Sequence, residues 1–192
     1  MIMLVLGLVL FLGIHSVVLF APDMRDRLIK QFGKLPYRAV HSIGAIVGLG
    51  LIAHGYAAAR MDPLWLWIPP FWMNHINLLL TVFAAVFVGA AMVPGSWIKA
   101  KTGAPMLLAI KTWAFGHLLC NGGLHDVLLF GSFLAWGVVG YIIHRKRDRA
   151  NGVVREGKIA RDGISVVIGL ALWAAFAFWL HALLIGIAPM PM

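Results

Sequence analysis

Long apolar stretches alternate with short polar loops along the 192-residue chain. Each stretch is close to the length of about 20 residues with which a helix crosses about 30 Å of hydrocarbon. The pattern predicts an all-α polytopic transmembrane bundle in which residues 1–192 form one domain. Lys111 interrupts the fourth and shortest of the predicted spans. The six predicted spans are Ile2–Ala21, Ala39–Ala59, Leu78–Val93, Met106–Leu119, Val127–Ile143 and Val166–Ala188.

Basic residues are concentrated in alternate loops. The net charge is +9, and all lysines and arginines except Arg60 and Lys111 follow the first, third or fifth predicted span. This is the positive-inside pattern for an even number of helices, so we expect both termini on the outer side of the membrane. The basic loops then face lipid headgroups, and nucleic-acid binding is excluded.

The remaining composition also indicates a membrane protein. Hydrophobic residues make up 61% of the chain, well above the share in soluble domains. Cys120 is the single cysteine, which excludes an intramolecular disulfide and a cysteine-ligated cluster; we expect it to be a small buried residue. The segment Leu64–Trp72 is rich in tryptophan and proline, and we expect it at the outer headgroup level.

A stripe of small residues marks one face of the second predicted span. Gly44 and Gly48 form a GxxxG pair, and His41 and Gly55 fall on the same face by helical spacing. Small residues let membrane helices approach closely. The stripe is therefore either a packing motif in which His41 bonds to a carbonyl, or a seam that faces a cofactor.

The histidines inside the spans fall into two layers. His15 and His41 each lie within about 10 Å of the inner end of their helix, so we expect them to meet at one level. The outer half holds His54, His117 and His181, and His75 opens the third span from that side. An intramembrane imidazole needs a partner. Two neutral imidazoles on facing helices can be axial ligands of haem iron, and clustered histidines also serve proton relays and transport sites.

Other polar groups complete the prediction for the outer half. One face of the fourth predicted span ends in His117 and Asn121, which we interpret as an interhelical hydrogen-bonding site. Asp126 is the acid nearest the outer histidines, where it can orient His125 or His117. We expect His125 and His144 to be solvated at the membrane edges, and Lys111 to face a polar cavity or the bundle interior.

Two long blocks of the sequence resemble the NnrU family. Residues 67–75 are similar to the family segment W-x-P-P-x-W-x-x-H. Residues 104–107 and 113–122 resemble its H-P-M-L … W-A-x-A-H-L-L-A-N-G block. Further matches are residues 128–131, Tyr37–Arg38 and His15–Ser16, so the likeness covers nearly the whole chain.

The resemblance implies a multi-pass protein of the bacterial inner membrane, associated with nitrite and nitric oxide metabolism during denitrification. A related plant and cyanobacterial branch is zeta-carotene isomerase, a haem b membrane enzyme with histidine ligation. By position, its ligands correspond to His15 and to the residue before Pro105, where this chain has Ala104. We therefore predict His41 as the replacement partner of His15 on the haem iron. The alternative is an outer site made by His117 with His75 or His54.

Three functions follow from these observations. The first is a haem-b-binding membrane protein of nitrogen-oxide redox chemistry, and the second is a haem isomerase of a long polyene. The third is a non-enzymatic structural or assembly subunit of a larger membrane complex. The expected partners are membrane lipids and either another membrane complex or a redox protein. A histidine–lysine pathway for protons or solutes is a fourth, weaker interpretation.

Overall fold

The computed structural model describes residues 1–189, in which helices are joined by short loops. We number them α1 (Ile2–Phe20), α2 (Pro22–Phe32), α3 (Lys34–Ala59), α4 (Met73–Met92), α5 (Trp97–Thr102), α6 (Pro105–Cys120), α7 (Leu124–Ala150) and α8 (Ile159–Ile185). Five of these helices, α1, α3, α4, α7 and α8, are long and apolar enough to cross a membrane. Helix α6 has 16 residues and a length of about 24 Å, shorter than the hydrocarbon core.

The helices include the six predicted spans, with differences at their ends. Helix α3 begins at Lys34, before the predicted start of its span, and α7 continues to Ala150, beyond the predicted end of its span. The basic residues that flank these two apolar stretches are therefore helical. Helix α8 ends at Ile185, before the predicted Ala188. Gly186 ends it in the left-handed conformation (φ 78°), and its N–H bonds to the carbonyl of Ala182. The last predicted residues of the domain, 190–192, lie outside the described part of the chain.

Two short helices, α2 and α5, lie in stretches that we expected to be loops. Helix α2 begins with Pro22 in its first turn, where the missing N–H costs nothing, and ends at Gly33, which has a positive φ of 90°. Helix α5 begins at Ser96, whose hydroxyl accepts a hydrogen bond from the Lys99 N–H at 3.2 Å. Both helices carry basic residues and lie beside the ends of the long helices.

The long helices pack in the spatial order α3, α1, α7, α6, α4, α8. The main buried cluster lies where α1, α3, α6 and α7 meet. It consists of Leu4, Leu8, Ile52, Ala114, Leu129 and Phe130. Most other apolar side chains point outwards, as they must where lipid is the solvent.

Glycines set the distance between α1 and α3. A Cβ atom at Gly7 would lie 2.6 Å from the Ile52 backbone nitrogen, and one at Gly48 would lie 3.0 Å from the Phe11 nitrogen. A Cβ at Gly55 would overlap the Leu4 backbone. The predicted stripe on α3 therefore faces α1. Its glycines serve close helix packing, since backbone and not open space lies opposite them.

A second close contact joins α4 to α8. A Cβ atom at Gly169 would lie 2.6 Å from the Val86 Cα, and Gly89 is packed against the Ser165 carbonyl. The Trp173 indole donates a hydrogen bond to the Thr81 hydroxyl at 3.1 Å across the same interface. The two glycine contacts fix α3 and α8 at opposite edges of the helix row.

The segment Leu64–Trp72 lies along the turn between α6 and α7. The Leu66 N–H bonds to the Gly122 carbonyl at 2.8 Å, and the Leu124 N–H bonds to the Leu64 carbonyl at the same distance. Only glycine fits at position 122, because a Cβ atom there would overlap the Trp67 carbonyl. The aromatic and aliphatic side chains of the segment remain largely exposed, as an interfacial position requires.

Candidate functional site

His15 on α1 and His41 on α3 meet at the interface of the two helices. Their ring centroids are 4.9 Å apart, and the rings are arranged edge to face. Both side chains are half-buried. The helices run antiparallel, and the glycines of the α3 stripe keep them close enough for the two imidazoles to touch. The predicted inner histidine pair is thus present in the structure.

The hydrogen bonds of the pair leave two ring nitrogens available. His15 Nδ1 lies 2.6 Å from the Phe11 carbonyl oxygen. Because a carbonyl only accepts, Nδ1 carries the hydrogen and Nε2 holds a lone pair. His41 Nε2 is buried and has no hydrogen-bond partner within residues 1–189. A ring held by a backbone carbonyl at Nδ1, with Nε2 free, is the usual state of a metal-ligating histidine.

A tyrosine extends this polar site along α3. The Tyr37 ring lies 6.2 Å from the His41 ring between centroids. Its hydroxyl is buried and, in the described part of the chain, also has no partner. Two unpaired polar atoms at one level are costly in an apolar setting. Both atoms are therefore available to a hydrogen-bonding partner.

The outer histidine layer is organised differently. His117 Nδ1 donates to the Trp113 carbonyl at 2.9 Å, and the His117 ring stacks on Phe130 with centroids 4.7 Å apart. His75 and His54 are both exposed, and the nearest aromatic ring to His75 is that of Phe71, 5.6 Å away. No ring contact between His117 and either of them occurs among the described residues.

His125 is buried, not solvated as predicted. It is 4% exposed, and the neighbouring Asp126 is 2% exposed. The Tyr56 hydroxyl donates to Asp126 Oδ1 at 2.5 Å, and the Gly123 N–H donates to Oδ2 at 2.9 Å. His125 Nε2 lies 3.5 Å from Oδ1. The prediction failed because α7 begins with a tight turn at Gly123 that directs both side chains into the bundle.

Almost the whole chain is similar in sequence to one family of known proteins. The sequence model of a family described as "NnrU protein" matches residues 3–189. The chain belongs to the NnrU family. No curated protein matches it, and no solved structure does. The NnrU match includes both histidine layers and every helix described above.

Ala104, where the NnrU block predicts histidine, caps the start of α6. It is 8% exposed and begins the helix at Pro105. The preceding Gly103 (φ 76°) lies against Asp148 of α7. Arg147, next to Asp148, donates to the Leu19 carbonyl at 3.0 Å, one turn beyond His15. Residue 104 and His15 therefore lie towards the same end of this NnrU protein.

His144 and Lys111 also differ from simple solvated groups. His144, predicted to be solvated, is half-buried, with Nδ1 3.4 Å from Asp148 Oδ2, because α7 continues as a helix and places residue 148 one turn away. The Lys111 ammonium lies 4.5 Å from the centroid of the Tyr141 ring. That cation–π contact places the half-buried Lys111 at the interface of α6 and α7.

Cys120 is half-buried beside a cleft of about 260 Å³. Trp65, Ile68 and Pro69 form the other wall of this cleft. The Asn121 amide donates to Cys120 Sγ at 3.2 Å. The thiol is thus less enclosed than predicted, because the segment that covers it lies along the α6–α7 turn without filling the space above it.

Two tyrosines of the polar sites were not predicted from the sequence. Tyr37 appears in the sequence analysis only as a match to the family pattern, and no role was predicted for Tyr56. Tyr37 lies one helical turn before His41, and Tyr56 directly follows Gly55. His41 and Gly55 both belong to the predicted stripe on α3. The usable signal for Tyr56 was Asp126 itself, because a carboxylate within an apolar stretch requires a donor from a facing helix.

Proposed function

We propose that this NnrU-family membrane protein binds haem b through His15 and His41 and acts in nitrite and nitric oxide metabolism in the bacterial inner membrane. The observation that supports the proposal most is His41 Nε2, which is buried and has no partner within residues 1–189, beside a His15 ring whose Nδ1 is held by the Phe11 carbonyl. These are the donor atoms of axial haem ligands.

The number of ligands favours haem over a bare metal ion. Among residues 1–189, no group of three or more His, Cys, Asp or Glu side chains is placed to hold a metal. A structural or catalytic ion bound by protein alone requires at least three such ligands. Haem iron brings four ring nitrogens, so that one or two histidines complete its coordination. The inner pair fits that requirement.

The separation of the rings bears on the spin state. The distance between the His15 and His41 ring centroids decides how many of the two would ligate one iron. The observed value is 4.9 Å. At this separation one imidazole would ligate the iron and the other would lie beside it, so the pair would supply one histidine ligand and leave one coordination position open.

The residues around the pair would hold and orient the group. The Phe11 carbonyl fixes the His15 ring through Nδ1, and the unpaired Tyr37 hydroxyl offers a hydrogen bond to a polar edge of the ligand. Haem would supply one-electron chemistry and a coordination position for diatomic gases. This chain's part would be to hold the group against the half-buried His15 and His41 rings.

The test uses the protein purified in detergent from cells supplied with haem. We expect a Soret band that sharpens on reduction, and a shift of that band when nitric oxide is added to the reduced protein without oxygen. A colourless protein would contradict haem binding. A coloured protein whose reduced spectrum is insensitive to nitric oxide would contradict the assigned gas chemistry and leave haem binding intact.

A further inference from the structure

A cleft of about 700 Å³ opens at the end of the bundle where the basic residues are concentrated. Its walls are α5, the loop between α7 and α8, and the first turn of α8. Four cations line it, Lys101, Arg155, Lys158 and Arg161, together with one carboxylate, Glu156. None of these residues takes part in the histidine sites described above.

The walls of the cleft are held in place by backbone and side-chain hydrogen bonds. Asp162 accepts from the Ser96 hydroxyl at 2.7 Å and from the Ile98 N–H at 3.2 Å, which ties α5 to α8. The Lys158 N–H bonds to the Gly95 carbonyl at 2.9 Å. Asp162 therefore joins α5 to α8 and fixes the two walls relative to each other.

The two arginines have structural partners. Arg155 forms hydrogen bonds of 2.5 and 2.8 Å to the two carboxylate oxygens of Asp148, and this pairing raises the pKa of its guanidinium. Arg161 donates to the Pro94 carbonyl at 2.5 Å. Each guanidinium has further N–H groups beyond these bonds, since arginine carries five donors.

The ammonium groups of the two lysines in the cleft, Lys101 and Lys158, are accessible to an anion. The Lys101 ammonium lies 5.7 Å from the centroid of the Trp97 ring, and Lys158 is exposed. Trp97, which is 42% exposed, places an amphipathic ring at the mouth of the cleft. Tryptophan beside cations is typical of the membrane–water interface, where an apolar edge meets a charged headgroup.

We propose that this cleft binds the phosphate of an anionic phospholipid headgroup. The cations supply charge and hydrogen-bond donors for the phosphate, and the Trp97 ring contacts the start of the acyl chains. The cleft lies beside the ends of α4 and α8, which places a lipid on that edge of the helix row within reach of it. A soluble phosphate shares the recognition chemistry, so the experiment must separate the two sources.

The experiment measures lipid retention on the full chain by native mass spectrometry from detergent micelles. The micelles contain phosphatidylglycerol or phosphatidylcholine with identical acyl chains. We expect phosphatidylglycerol to remain bound at lower concentration than phosphatidylcholine. The double variant Lys101→Gln/Lys158→Gln should weaken its binding roughly fivefold per lysine, at about 1 kcal/mol for each charge.

The matched control is Lys30→Gln/Lys146→Gln, which removes the same charge from α2 and from the exposed face of α7. We expect it to retain phosphatidylglycerol like the wild type. Equal loss in both double variants would overturn the cleft as the site. Equal retention of the two lipids by the wild type would overturn selection of an anionic headgroup.

Inorganic phosphate distinguishes the second source. At low millimolar concentration it should fail to displace phosphatidylglycerol, because it lacks the acyl chains that Trp97 contacts. Displacement at that concentration would overturn the lipid assignment and identify a soluble phosphate site. Thermal unfolding of the lipid-free variants gives the folding control, and both double variants should unfold within a few degrees of the wild type.

Discussion

The imidazole rings of His15 and His41 lie 4.9 Å apart, edge to face, across the α1–α3 interface. This relationship links helix packing to the proposed haem site. Close packing at Gly48 and Gly55 brings the two helices together and so sets the distance between the rings. If haem binds here as proposed, one of the two histidines would ligate the iron and a coordination position would stay open.

Restoring the family histidine should close that position. We predict that Ala104→His converts a high-spin spectrum to a low-spin one and slows carbon monoxide binding to the reduced protein, since a second imidazole would occupy the iron. Stopped-flow absorbance measures the rate. Ala104→Leu controls for added bulk at this 8% exposed position and should leave the spin state high. Identical spectra for the histidine variant and the wild type would place the cofactor away from residue 104.

The α1–α3 seam should not tolerate a methyl group at Gly55. We predict that Gly55→Ala lowers the free energy of unfolding by about 1–3 kcal/mol, because its Cβ would overlap the Leu4 backbone. Gly50→Ala on the same helix is the control. Within residues 1–189, no atom outside its own stretch of helix lies within 4 Å of the position that its Cβ would take, so its effect should stay within about 1 kcal/mol. Thermal unfolding in detergent measures both, and equal effects would contradict the packing role of the stripe.

The buried Asp126 carboxylate should matter more than the hydroxyl that binds it. Asp126→Ala leaves the Tyr56 hydroxyl and the Gly123 N–H without their acceptor, and should cost roughly 3 kcal/mol of stability. Tyr56→Phe removes one hydrogen bond to the buried carboxylate, which keeps the Gly123 N–H, and should cost about 2 kcal/mol. Chemical denaturation of the two variants and of their combination gives the coupling. A larger loss for Tyr56→Phe than for Asp126→Ala would contradict this hydrogen-bonding scheme.

Charge distribution predicts the orientation of the bundle. Basic residues follow the first, third and fifth apolar stretches, so both termini should face the periplasm. An alkaline phosphatase reporter joined to the C-terminus should be active, and one inserted between Arg145 and Arg161 should be inactive. An inactive reporter at the C-terminus would contradict this orientation of the six-span bundle.

Hydropathy and helical spacing predict much of this fold because each span is a local property of the sequence. The spans, the glycine stripe on α3 and the meeting of His15 with His41 follow from periodicity and depth, whereas the helix that the stripe faces does not. Helices α2 and α5 were missed because their polar composition resembles that of a loop. The burial of His125 and the Tyr56–Asp126 hydrogen bond were missed because they depend on how the Gly122–Gly123 turn lies against a distant segment.

The haem content of the wild type and two histidine variants tests haem ligation by the inner pair most directly. The absorbance of the Soret band per chain is compared for the wild type, His15→Ala and His54→Ala, the last being an exposed histidine on α3. We predict a single haem in the wild type and in His54→Ala, and its loss in His15→Ala. Full haem content in a folded His15→Ala protein, or no haem in the wild type, would contradict ligation by His15.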